Sequence, residues 1–144
     1  MRSWLQPVTM SCMTVTVAEW GTYAGWHDKR EVSSAVAALD LCAEVESHAG
    51  ASRVLVGFTT PLGHFFAIGL GHERSCVIYW ESVEPPYFQS RGPIDEGEPV
   101  DFAYDGQHTE LPANSLIERD ASLRALAEFI ETGRRPESIE WDET

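Results

Sequence analysis

Of the ten basic residues in this 144-residue chain only Lys29 is a lysine, and 23 acids leave a formal charge of −13. So few cations exclude the basic stripe of a direct nucleic-acid binder, and the negative field repels anionic lipid as well. A membrane span is excluded separately, because no run approaches the roughly 18 apolar residues that cross a bilayer. The residues after Arg2 lack the apolar stretch of a signal peptide. Cys12, Cys42 and Cys76 are too few and too scattered for a zinc spacing or a disulfide framework, which points to reduced thiols in a cytoplasmic protein. His27, His48, His64, His72 and His108 show no H-x-x-x-H spacing. The acids Asp95, Glu96, Glu98 and Asp101 lack the alternating Asp-x-Asp-x-Asp-Gly pattern of a calcium loop. Gly69-Leu70-Gly71 leads into an apolar strand instead of a helix, so it is no dinucleotide loop. No metal and no cofactor are expected.

What remains is the composition of a folded domain. Hydrophobic residues make up 43% of the chain and aromatics 10%, enough for a real core at this length. The charge is lopsided: residues 1–92 carry −3 and residues 93–144 carry −10. All three methionines fall at positions 1, 10 and 13, and patterned sequence starts at Thr14. Residues 1–12 therefore read as a loose extension, and residues 13–144 as a single domain. No repeat or low-complexity segment interrupts it.

Periodicity supplies the elements. Thr14–Ala18 alternates as a strand, and Gly21–Lys29 reads as a loop rich in Gly, Tyr and Trp. From Val32 to about His48 the apolar positions follow helical steps, with Gly50 as the stop. Arg53–Phe58, His64–Leu70 and Ser75–Glu81 read as strands joined by the turns at Pro61-Leu62-Gly63 and Gly71-His72-Glu73. Tyr87–Ser90 reads as an edge strand beside the prolines Pro85, Pro86, Pro93 and Pro99. Val100, Phe102 and Tyr104 alternate with polar residues into Asp105-Gly106, whose residues both suit the positive φ of a primed hairpin turn, and Gln107–Leu111 returns. Asn114–Arg119 carries no clear period. This order predicts an α+β fold: a curved, mainly antiparallel sheet with two helices packed on one face. The other face is expected to be partly exposed, with aromatic and acidic side chains.

The last segment, DASLRALAEFIETGRRPESIEW, is the most informative. Asp120 can accept hydrogen bonds from the first helical turn, and Leu123, Leu126, Ala127 and Ile130 recur as one apolar stripe. Gly133 suits a left-handed helix end, Arg134 and Arg135 suit its negative pole, and Pro136 forbids continuation. Ile139 and Trp141 then alternate as a closing strand. The run Ala127, Phe129, Thr132, Gly133, Arg135, Pro136 and Trp141 resembles the first family of immunity proteins of bacterial polymorphic toxin systems. Fainter likeness lies upstream in Gly69-Leu70-Gly71, Val77-Ile78-Tyr79-Trp80, Tyr104-Asp105-Gly106, Glu110 and Pro112, so that residues 53–141 are spanned. The resemblance implies a cytoplasmic antitoxin that neutralises a cognate toxin encoded beside it, often a nucleic-acid deaminase, with a nuclease next.

The residues themselves point the same way. Glu81, Glu84, Tyr87, Asp101, Tyr104, Asp105 and Glu110 are the candidate partner-binding residues, since rigid rings bury area cheaply and carboxylates steer a basic partner. Against this, Tyr104 shares a face with Val100 and Phe102, and Trp80 alternates with Ile78, so core packing is the plainer role for both. Trp141 reads as a pin for the last strand. The expected partner is a basic, nucleic-acid-acting toxin domain, with no direct nucleic-acid or membrane contact, and the free chain is expected to be a monomer or weak homodimer. Two other classes compete. An acidic nucleic-acid mimic would space carboxylates like phosphates on one surface. A small enzyme or ligand-binding module would need a nucleophile such as Cys76 beside His64, His72 or His108. Cys76 in an apolar strand, and Cys42 on the helix stripe, read instead as buried thiols, and His72 as a solvated turn residue.

Overall fold

A computed structural model describes residues 15–49 and 52–144. Residues 1–12, and with them the expected extension, lie outside the described residues. The first strand begins at a hairpin, β1 (Thr16–Gly21) and β2 (His27–Val32), followed by helix α1 (Ala35–Ala49). Strands β3 (Val54–Thr59) and β4 (Phe65–Leu70) come next, then the short β5 (Arg74–Ser75), β6 (Val77–Trp80) and β7 (Tyr87–Ser90). The hairpin β8 (Val100–Tyr104) and β9 (Gln107–Leu111) precedes a 3-10 turn at Ala113–Ser115 and β10 (Ile117–Glu118). Helix α2 (Arg119–Thr132) and β11 (Trp141–Glu143) close the chain.

The main sheet runs β11-β7-β6-β4-β3-β1-β2, every neighbour antiparallel. A single parallel register pair, Val54 with Ala103, joins β3 to the β8–β9 hairpin. The fold is thus α+β, with a curved and mostly antiparallel sheet. Alternation sorts its side chains. Val54, Val56 and Phe58 of β3, Phe66, Ile68 and Leu70 of β4, and Val77 and Tyr79 of β6 face the helices. There they meet Ala38, Leu41, Cys42 and Val45 of α1 and Ala125, Leu126 and Phe129 of α2. Phe129 stacks on Phe66 with ring centres 5.1 Å apart. A buried ring of this kind contributes about 1.5–3 kcal/mol relative to exposure.

The opposite face has a second core where the β8–β9 hairpin folds over it. Leu55, Ala67 and Cys76 lie under Val100, Phe102, Leu111 and Leu116. Gly69 makes this possible, because a Cβ there would meet the Phe102 ring at 2.7 Å and the Cys76 sulfur at 2.9 Å. The hairpin turns at Asp105 (φ 53) and Gly106 (φ 79), as the Asp-Gly pair demands.

Several boundaries differ from the sequence expectation, each for a physical reason. Gly21–Lys29 is not all loop: Thr22 closes a tight hairpin, its hydroxyl accepting from the Trp26 N–H at 3.0 Å, and β2 follows. Strand β2 reads HDKREV, an edge strand of charges whose first apolar residue is Val32, so no alternation reveals it. Helix α1 accordingly starts at Ala35, with the Ser34 hydroxyl capping the Ala37 N–H at 3.1 Å. Tyr87–Ser90 is not an edge, because β11 pairs outside it. Asp120 is not the cap of α2; Glu118 holds that position without a side-chain bond, and Asp120 sits in the first turn, where its charge suits the helix dipole.

The tail ends as the residues require. Gly133 adopts φ 70 and donates its N–H to the Phe129 carbonyl at 2.7 Å. The Glu128 carboxylate accepts from the Glu137 N–H at 2.7 Å and the Ser138 N–H at 3.3 Å beyond Pro136. The Arg135 guanidinium lies over the Phe88 ring at 4.2 Å, and the Trp141 indole donates to the Pro136 carbonyl at 2.8 Å. His64 reaches across from the β3–β4 turn to the Gly133 carbonyl at 2.7 Å. The motif is a clasp that fastens α2 to the sheet edge.

Candidate interaction surface

The hairpin covers only part of the sheet face turned away from the helices. Beside it runs a row of in-register residues, Tyr87 on β7, Trp80 on β6, Phe65 on β4 and Thr59 on β3, of which Phe65 is buried, Trp80 and Tyr87 are half-buried and Thr59 is exposed. Partners in register carry their side chains to the same face. Phe65 and Trp80 stack with centres 4.6 Å apart and planes 18° from parallel, and Tyr104 meets Phe65 edge-on at 6.4 Å. Two loops flank this ledge, and each lifts an apolar tip into solvent: Leu62 is 77% exposed and Val83 78%. The Tyr87 hydroxyl donates to the Val83 carbonyl and so fixes the second loop.

Acids border the rings. The tip of the β8–β9 hairpin rests on β1, where Gly106 donates its N–H to the Gly21 carbonyl at 3.0 Å. Gly21 allows this approach, since a Cβ would come within 3.0 Å of the Asp105 backbone. Asp105 is thereby brought beside Glu19, and the His27 Nε2 stands 3.3 Å from a carboxylate oxygen of each. Together with Gly57, Thr59, Phe65, Trp80 and Tyr104 they line a cavity of about 230 Å³. Ionisation of Tyr104 is pushed up, first by burial and then by the charges of Glu19 and Asp105.

The seven candidate residues fall in three places. Tyr87, Tyr104 and Asp105 belong to the open face just described. Tyr104 is 43% exposed, so the core role expected for it is corrected, whereas Trp80 is half-buried and packs against the second core with one part left open. Glu81 and Glu84 lie elsewhere, on a groove of about 720 Å³ lined also by Phe88, Arg134, Arg135 and Trp141. Glu81 there accepts a hydrogen bond from the Tyr79 hydroxyl at 2.9 Å, and burial, then this bond, push ionisation of Tyr79 up. Asp101 and Glu110 are register partners on the outer side of the hairpin, and Asp101 faces His108 at 3.5 Å. Sequence reasoning missed Glu19, His27 and Phe65; only the pairing of β2, β1, β3 and β4 in that order puts them together.

The residues weighed for catalysis are occupied otherwise. Cys76 is buried with its thiol ionisation pushed far up by desolvation, and Cys42, on the buried face of α1, is pushed up to about 12 for the same reason. His64 is held by Gly133, and the His72 ring accepts from the Arg74 N–H at 3.0 Å. Among the described residues no three His, Cys, Asp or Glu side chains converge as a metal site. No helix among them is long and apolar enough to cross a membrane.

The family model described as Immunity protein Imm1 matches residues 22–143. The chain belongs to the Imm1 family of immunity proteins. Membership implies a toxin as partner, and the matched span includes the tail that forms the clasp between α2 and the sheet edge. Among curated proteins none matches the chain.

Proposed function

We propose that this Imm1 member is a non-enzymatic antitoxin of the cytoplasm that seats the open half of its sheet on a cognate toxin domain and blocks the toxin's active site. The observation that carries the reading is the ring ledge of Trp80, Tyr87 and Tyr104, seated on the buried Phe65 and bordered by the exposed carboxylates Glu19 and Asp105. Rings of this kind serve as anchors, and carboxylates around them speed encounter with a cationic partner. The family resemblance favours a nucleic-acid deaminase as target, with a nuclease next, and either must carry cations to hold phosphate. Asp101, Glu110, Glu81 and Glu84 extend the negative field around the anchor and steer the approach. A standard interface of about 1,600 Å² reaches well beyond the ledge and could include them. A phosphate mimic would need its carboxylates in one periodic surface, and their division among three places favours a localised anchor instead.

Co-expression with the product of the neighbouring reading frame tests the reading. The two should co-purify one to one, and the chain should restore growth to cells making the toxin. Separate elution together with failure to rescue growth would refute it.

A further inference from the structure

The cavity between hairpin tip and ring ledge has a chemistry of its own. Glu19 and Asp105 converge on a single nitrogen, His27 Nε2, at 3.3 Å each. Charge-assisted bonds run at about 2.7–2.9 Å, so these contacts are long, and with side chains 53% and 73% exposed Glu19 and Asp105 keep carboxylate oxygens open to a cation arriving from solvent. Lys29 stands opposite Glu19 in the β1–β2 register yet forms no ion pair among the described residues. One wall of the cavity is aromatic: Trp80 stacked on Phe65, with Tyr104 at the rim. Its floor is Gly57, where a Cβ would collide with the Phe65 ring at 2.7 Å, so the space above the backbone there belongs to the ring and the cavity.

We propose that this cavity is a receptor for one arginine side chain presented by the partner, a specificity that rests on the toxin-binding reading above. A guanidinium is planar, is always charged and carries five N–H donors in a fork, so it can bond Glu19 and Asp105 together while its face lies against Trp80 or Tyr104. An ammonium offers a compact point charge and cannot satisfy both acids and stack at once. The charges of Glu19 and Asp105, which after burial oppose the Tyr104 phenolate, favour such a cation. Chain and partner then divide the work: arginine enters the slot, and the ledge with Leu62 and Val83 closes over the apolar surface around it.

The test needs no toxin. N-acetyl-arginine amide, the lysine analogue and the uncharged citrulline analogue are titrated into the purified chain while the Trp80 indole N–H and Tyr104 resonances are followed by NMR. The arginine probe should shift both signals in a saturable way, with the lysine analogue weaker by about tenfold, the scale of one charge-assisted hydrogen bond, and citrulline silent. The double variant Glu19→Gln, Asp105→Asn keeps shape and tolerates the left-handed turn position, and it should abolish the response. No saturable shift with arginine, an equal shift with citrulline, or an undiminished shift in the double variant would each overturn the proposal. Failure here leaves toxin capture standing, and failure to co-purify leaves a measured arginine site standing, so the two outcomes are distinguishable.

Discussion

Gly69→Ala measures whether the β8–β9 hairpin is seated as described, and the surface depends on that seat. The new methyl would lie 2.7 Å from the Phe102 ring and 2.9 Å from the Cys76 sulfur, both closer than unbonded atoms allow. Neither can step aside, because Phe102 is fully enclosed and Cys76 nearly so. Overpacking of this sort costs about 1–3 kcal/mol. Loss of glycine's freedom in the unfolded chain returns about 0.4–1 kcal/mol. The clash wins, and the net destabilisation is about 1–2 kcal/mol. With a urea m-value of about 2 kcal/mol/M, the midpoint should fall by about 0.5–1 M at unchanged slope. Shortening the ring should relieve the clash, so Phe102→Leu combined with Gly69→Ala should cost less than the two single changes together, by about 1 kcal/mol of coupling. Strict additivity, or a Gly69→Ala protein at least as stable as its parent, would show that Phe102 does not occupy the notch, and the division of the sheet into covered and open halves would fail with it.

Other consequences can be checked in parallel. Trp80→Ala should weaken toxin binding by about 2 kcal/mol or more, roughly 30-fold, as calorimetry on the purified pair would show. Asp101→Asn with Glu110→Gln, on the outer side of the hairpin, should chiefly slow association at low salt and leave the dissociation rate near its parent value, measured by surface plasmon resonance. In a Cys12→Ser background Cys42 and Cys76 should resist alkylation at pH 8 until denaturant is added, since burial pushes both thiols far above that pH; fast labelling of the native protein would contradict the core. Glu44 is held below the ordinary carboxylate range by Arg30, which bonds it at 2.9 and 2.8 Å. A depressed folded pKa gives stability that is present above the unfolded value and lost as pH falls through the folded one. Glu44→Gln should therefore flatten the acid limb of the stability curve and leave behaviour above pH 7 similar in slope; an unchanged acid limb would rule out the pair as a source of acid sensitivity.

The parts of this fold that were legible in the sequence are those with a local physical signature. Asp105-Gly106 announced the hairpin through its φ requirement, and Gly133 with Pro136 announced the end of α2. The helix stripes and the apolar strands Val54–Thr59 and Phe65–Leu70 followed from periodicity. Strand β2 was hidden because an edge of charged residues has no apolar period, and the start of α1 was misplaced for the same reason. The surface was harder still. Alternation put Tyr104 in line with Val100 and Phe102, and only the hairpin's finite reach over the sheet reveals that the line ends in solvent. Glu19 and His27 share one hairpin but Asp105 is far from them in the chain, and their convergence depends on the tip of the β8–β9 hairpin touching the turn end of β1–β2 through Gly21. The acids Glu81, Glu84, Asp101 and Glu110 were marked by composition alone, which carries no information about which side of a strand or loop they occupy.

Hydrogen exchange on the chain with and without its bound toxin domain tests the central claim most directly. The account predicts slowed exchange at residues 17–21, 57–66, 78–81 and 104–106, where sheet face, flanking loops and hairpin tip meet the partner. Protection confined to the outer surfaces of α1 and α2, or to the groove at Arg134–Trp141, with the Trp80 ledge exchanging as in the free chain, would contradict it.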